Sequence, residues 1–192
     1  HGAMTHIGLF NDYFRVVIKG KTSESEKYER GYATGNWNNA FASLAALTGN
    51  VLDTPHFKRF FSPDQSINGF ETHDNSTVWD KMHACCNNED RATRIRRQKM
   101  MIAITMVSQG VPFVHAGFEF CGTKKDNHNS YNAPDEINRM DWERMEYYQE
   151  VVKYFRKATA LRRSVSEFCL KTALEINEKV KVWVADDQTV FY

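Results

Sequence analysis

The chain has 192 residues, with 25 basic and 24 acidic side chains and a net charge of +1. No broad field favours nucleic acid or an anionic membrane, and no apolar run approaches the ~20 residues that span a bilayer. A core of useful size fits this length.

Alternating strand and helix patterns follow, the signature of an α/β chain. Residues 7–10 read as a short apolar strand. Asn11 or Asp12 then caps a helix carrying Phe14, Val17 and Ile18, which stops at Gly20. Residues 21–36 are polar and rich in Gly, Ser and Glu, and read as a mobile excursion. Trp37, Phe41, Leu44 and Ala45 recur at helical spacing, and Gly49-Asn50 ends that helix. Residues 53–64 are irregular. A strand is expected over 67–72, and a short helix after Thr77. Glu89 and Asp90 place acids in the first turn of the next helix, whose stripe is Ile95, Ile102 and Met106 and whose end is Gly110. Residues 111–116 read as a buried strand, and 122–138 as a long polar loop. Tyr148, Val151, Val152, Phe155 and Leu161 mark a last long helix. Residues 179–184 and 188–192 alternate apolar and polar around Asp186-Asp187, as a hairpin does.

Four cysteines occur: Cys85, Cys86, Cys121 and Cys169. None forms a CxxC or another metal-ligand spacing, so they read as free, partly buried thiols. That leans towards a reducing compartment. No secretory leader is visible, although an internal piece of a longer protein would not show one, so a secreted or cell-surface parent also fits. The opening residues 1–4 resemble a cloning remnant. Arg91, Arg94, Arg96, Arg97 and Lys99 lie on one amphipathic helix and read as its solvated face.

The run Glu71-Thr72-His73-Asp74-Asn75 sets a His and a carboxylate at the end of a strand, followed by a helix start at Thr77 with Asp80 three residues on. A carboxylate there can stabilise positive charge, and a neighbouring imidazole can hydrogen-bond a hydroxyl. Polyol chemistry uses both.

Four segments carry a family resemblance: FNDYFRVVIKG at 10–20, ETHDNSTVWDK at 71–81, RIRRQKMMIAITMVSQGVPFVHAGFEF at 94–120 and NSYNAPDEINRMDW at 129–142. Together they resemble the bacterial type I pullulanases, debranching enzymes of the α-amylase superfamily. The resemblance implies the last three βα units of a (β/α)8 barrel over 5–165 and the opening strands of a C-terminal β-sandwich domain over 166–192. A whole barrel needs roughly 250 residues, so the chain is expected to be part of a longer polypeptide.

The same resemblance makes Asp74 the transition-state stabiliser and His73 a ligand of sugar hydroxyls. It implies an α-glucan substrate (pullulan, branched starch or glycogen oligosaccharides) cleaved at α-1,6 links by a retaining mechanism, with no required cofactor. Asn75, Tyr131, Asn132 and Asp135 are further candidates for sugar binding. Trp79 fits a pocket wall or the core. His115 reads as support for the site's mouth, Glu119 as a carboxylate behind it, and Asn138 as a loop brace. Asn11, Asp12 and Arg15 read as helix-start and scaffold residues. Phe118 stands where the family usually has Gln, which removes a polar group from that position.

A retaining hydrolysis needs a nucleophile and a general acid as well. The family places both before the stretch seen here, so the chain alone is expected not to cleave glycosidic bonds. Calcium occurs in relatives, but no clustered acidic loop specifies a site. Open sheet edges predict self-association. Two other readings remain: a non-catalytic module binding glucan or protein through the Asn/Tyr loop, and part of an isoamylase-like or α-1,4-acting relative.

Overall fold

The computed structural model describes residues 7–53, 56–186 and 188–192. The opening residues read as a cloning remnant, and Asp187 of the hairpin turn, lie outside the described residues.

Strand β1 (Leu9–Phe10) leads into helix α1 (Asp12–Lys19). Asn11 caps that helix by accepting a hydrogen bond from the Phe14 amide at 3.0 Å. Gly20 ends it at φ 103°, a left-handed conformation open to glycine. The buried side of α1, formed by Phe14, Val17 and Ile18, faces the main core. Helix α2 (Ala40–Leu47) packs on α1. Its buried face is Ala40, Ser43, Ala45, Ala46 and Leu47, whereas Phe41 lies exposed. Of the four residues at helical spacing, Ala45 is buried and Leu44 half-buried, whereas Trp37 and Phe41 are exposed and Trp37 precedes the helix.

Strand β2 (Ser66–Asn68) is followed by α3 (Val78–Cys85) and α4 (Arg91–Val107). Strand β3 (Val111–Pro112) completes a parallel sheet in the order β1-β2-β3, with Phe10 opposite Ile67 and Ile67 opposite Val111. Short helices α5 (Asp135–Asn138) and α6 (Trp142–Tyr147) precede the long α7 (Gln149–Ser164), which packs along α4. Helix α8 (Ala173–Lys179) follows, then an antiparallel hairpin of β4 (Trp183–Val184) and β5 (Val190–Phe191) that lies against α2.

The core runs between sheet and helices through Phe14, Phe70, Trp79, Ile102, Phe118 and Val151. A polar seam crosses one part of it. The Asn11 amide donates to Asn50 Oδ1 at 2.9 Å and to Ser66 Oγ at 3.0 Å, and the Asn68 amide donates to the Gln109 carbonyl at 2.7 Å. Each group is buried and partnered, so the seam fixes strand register instead of costing desolvation.

Several expectations need correction. The strand expected over 67–72 spans only Ser66–Asn68. Residues 111–116 are not a buried strand: β3 is two residues long, and Val111 is 41% exposed. Residues 21–36 are anchored. Tyr32, Ala33 and Thr34 are buried, and the Lys81 ammonium donates to the carbonyls of Lys21, Lys27 and Glu29 at 2.6–2.7 Å. Asp90 is the N-cap of α4 and not part of its first turn. The basic residues of α4 are not simply solvated. Arg97 makes a two-pronged contact with Glu89 at 2.6 and 2.7 Å, and Arg91 stacks on Tyr147 at 4.0 Å. Helix α8 was not expected at all.

Candidate functional site

All three strands of the first sheet are parallel, so the segments leaving them emerge at one end. The segment after β2 passes Gly69, where a Cβ would lie 2.8 Å from the Phe113 carbonyl oxygen. Only glycine allows that approach. Phe70 then locks into the core, stacked on Phe14 at 4.9 Å.

From this anchor the chain makes a tight loop into α3. The Val78 amide, at the helix N-terminus, donates to the Glu71 carboxylate. Thr77 Oγ1 accepts from the Asp80 amide at 3.1 Å, and Thr72 Oγ1 accepts from the Asp74 amide at 3.2 Å. Asn75 takes φ 64°, a left-handed conformation that Asn tolerates better than most residues. A loop tied at both ends presents its middle outwards. His73 and Asp74 therefore project from the surface, their side chains 83% and 65% exposed, with Nε2 and Oδ2 3.3 Å apart.

The residues that flank the loop, Glu71 and Thr77, line a cavity of about 190 Å³ together with His115, Lys124 and Asn138, whereas His73 and Asp74 are not among its lining residues. Its electrostatics are set by burial. Desolvation raises the Glu71 carboxyl to about 7, opposed by the Val78 amide and the Lys19 charge. Desolvation likewise lowers the Lys19 ammonium to about 7, with Glu71 opposing. His115 is held below the usual imidazole range, first by burial and then by the positive charges of Lys124 and His73. Its Nδ1 lies 4.0 Å from Glu71 Oε1 and is buried without a hydrogen-bond partner among the described residues. Glu119 accepts from the Gly117 amide at 3.0 Å.

The loop at 129–138 borders the same cavity through Asn138. The Asn138 amide donates to the carbonyls of Ser130 at 2.7 Å and Ala133 at 2.9 Å, and its Oδ1 receives Lys124 Nζ at 3.1 Å. Tyr131, Asn132 and Asp135 are exposed on that loop. No hydrogen bond or ion pair among the described residues joins them to His73 or Asp74. Trp79 is a core residue, 4% exposed and packed edge-on to Tyr148 at 5.2 Å.

Sequence reading missed the fastening of the two loops to each other. The Asp80 carboxylate leaves its helix and accepts from the Lys124 amide at 2.7 Å and from the Thr123 hydroxyl. The Thr77/Asp80 spacing pointed to a cap alone. Asp80, His83 and Asp126 offer ligand atoms within 4.8 Å of one another. Both Asp80 oxygens already hold the neighbouring loop, and His83 and Asp126 form a partly exposed pair at 3.5 Å.

An outward carboxylate beside an imidazole can steady developing positive charge and bind vicinal hydroxyls. No family model matches the chain. A curated pullulanase of Bacillus subtilis (strain 168) is 36% identical over 189 residues, covering 98% of this chain and 26% of that protein. The crystal structure of type I pullulanase from the same organism, complexed with maltose, superposes at TM-score 0.91 with 37% identity, covering 95% of this chain and 25% of that one. The pullulanase of Anoxybacillus sp. LM18-11 complexed with maltotriose gives TM-score 0.87 and 40% identity, covering 94% and 25%. This chain thus spans about a quarter of the length of the relatives it matches.

Proposed function

We propose that this chain, a homologue of the type I pullulanases along nearly its whole length, forms the closing part of a debranching glycosidase site. Residues 5–165 are the last βα units of a (β/α)8 barrel, and 166–192 open a C-terminal β domain. Asp74 stabilises the oxocarbenium-like transition state, and His73 hydrogen-bonds hydroxyls of the sugar being cleaved. Asn75, Tyr131, Asn132 and Asp135 bind the flanking glucan. The nucleophile and general acid come from sequence outside this chain. The substrate class is branched α-glucan cleaved at α-1,6 links, in line with the maltose and maltotriose complexes of the relatives.

One observation carries this reading. The loop between β2 and α3 is built to hold Asp74 and His73 outward and together, at the end of the sheet where strands of this architecture present their chemistry. A carboxylate that served only as a helix cap would fold back on backbone amides. In this loop Glu71 and Thr77 do that work, and the Asp74 carboxylate faces His73 at the surface, within reach of a ligand.

The test is a chimera in which this chain replaces the matching quarter of the Bacillus subtilis enzyme. The chimera should hydrolyse pullulan, and Asp74→Ala should lower its kcat about 10²- to 10³-fold with little change in folding. An active chimera indifferent to Asp74 would sink the assignment. The isolated chain should show no turnover on pullulan, and clear hydrolysis by pure protein would refute its proposed incompleteness.

A further inference from the structure

The adjacent cysteines of α3 take no part in the site above. On a regular helix, consecutive side chains leave the axis about 100° apart, so neighbouring thiols do not meet. Here Cys85 is the last helical residue, and Cys86 turns out of the helix at φ −123° and ψ 35°. That change brings the two sulfurs to 3.6 Å. The surroundings hold them there. Cys86 Sγ lies 3.6 Å from the Thr34 carbonyl oxygen, and Arg30 Nε donates to the Cys85 carbonyl at 2.7 Å. Cys86 is wholly buried, whereas Cys85 keeps 7% exposure. Both are reduced.

The pair is chemically unequal. The contact with Cys86 acts first and the positive charges of Lys81 and Arg30 add to it, so the Cys85 thiol is lowered to about 7 against the pull of desolvation. Cys86 is pushed up by the same contact and by burial. Near neutral pH the pair thus holds a thiolate with a thiol beside it, both largely enclosed by the fold. A disulfide between them is disfavoured, since adjacent Cα atoms are about 3.8 Å apart, below the usual range of about 4.4–6.8 Å. A larger atom inserted between the sulfurs meets no such limit.

We propose that Cys85 and Cys86 form a chelating dithiol site for a trivalent arsenical. The Cys85 thiolate attacks the arsenic of R–As(OH)₂, forming one As–S bond as hydroxide leaves. The Cys86 proton passes to that hydroxide, and the freed Cys86 thiolate forms the second As–S bond. The second hydroxide takes the proton that Cys85 had released to solvent. Two As–S bonds replace two As–O bonds, two waters depart, and no oxidant is needed. The site lies at the opposite end of α3 from Thr77, so it stands independently of the sugar-binding reading.

The probe is phenylarsine oxide, added to the native chain. One phenylarsenic group should bind per chain, with two of the four thiols lost together to thiol titration. Peptide mapping should place it on the peptide holding both Cys85 and Cys86. Excess monothiol should leave it bound, and a small dithiol should remove it. Cys85→Ala should weaken binding at least ~100-fold, because the second bond loses its intramolecular advantage. Cys86 is wholly buried, so mapping on the unaltered chain decides the matter even where a Cys86 variant fails to fold. Adduct on Cys121 or Cys169, release by monothiol, or equal binding by Cys85→Ala would each overturn the proposal.

Discussion

Glu71 and Lys19 are buried charges whose cost burial sets, and each is only partly compensated by the other. Their effects on stability run in opposite directions. Glu71 has a folded-state pKa raised from 4.5 to about 7, so the native state holds its proton more tightly than the unfolded chain. Its stabilising contribution is complete below pH 4.5 and is lost as pH rises to about 7. Lys19 is depressed from 10.5 to about 7, so its contribution is complete above 10.5 and is lost as pH falls towards 7. Together they predict a dip in stability near neutrality. Glu71→Gln should flatten the fall between pH 4.5 and 7 while leaving the rise above 7, as read from denaturant midpoints across pH. An unchanged acid limb would show that Glu71 ionises in the native state as freely as in water.

Helix α3 shows how an element is held by side chains that propensity does not reveal. At its start, Glu71 and Thr77 satisfy the amide donors. From its side, Lys81 reaches three carbonyls of the preceding excursion. Hydrogen bonds to charged groups contribute about 1.5–3 kcal/mol each in net terms, and the burial that lowers the Lys81 pKa offsets part of their sum. Lys81→Met should therefore lower stability by about 2–3 kcal/mol. It should also speed amide exchange over residues 21–31, and normal protection there would contradict that anchoring role. The excursion looked mobile in sequence because its own residues are polar, and the group that orders it lies some 50 positions away (60 from Lys21). Local signals served better elsewhere. The Asn11 cap, the Gly20 stop, the stripe of Ile95, Ile102 and Met106, and the hairpin partners were all visible, because capping and periodicity act over a few residues. The site divided in the same way. Adjacent His73 and Asp74 could be read as a pair, whereas the Asp80 clasp on Lys124 joins residues 44 apart and left no local trace. Strand lengths were overestimated because an apolar run such as 111–116 looks like a core strand, yet its residues are half-buried or exposed and only the first two pair.

At the level of the whole chain, the parallel sheet determines what the protein meets. Its outer strands β1 and β3 pair with no further strand among the described residues. Leu9, Phe10 and Val111 are exposed on them, with Ile7 and Phe61 nearby. Unpaired strand edges are templates for another chain, and apolar side chains in a row add the driving force. In relatives of about four times this length, further sequence is available to cover such edges. Alone, the chain has only copies of itself, so it should associate as concentration rises, seen in sedimentation velocity as a growing fast component. Charged substitutions on the edge, Leu9→Lys with Val111→Lys, should return it to monomer while leaving the core cluster around Phe14 and Phe70 intact. A sharper version adds the complementary three-quarters of the Bacillus subtilis relative in trans. If edge complementation is what drives association, that partner should displace the self-associated form. Self-association untouched by either measure would place the contact on another face, and a strictly monomeric profile at high concentration would mean that strands this short expose too little backbone to recruit a copy.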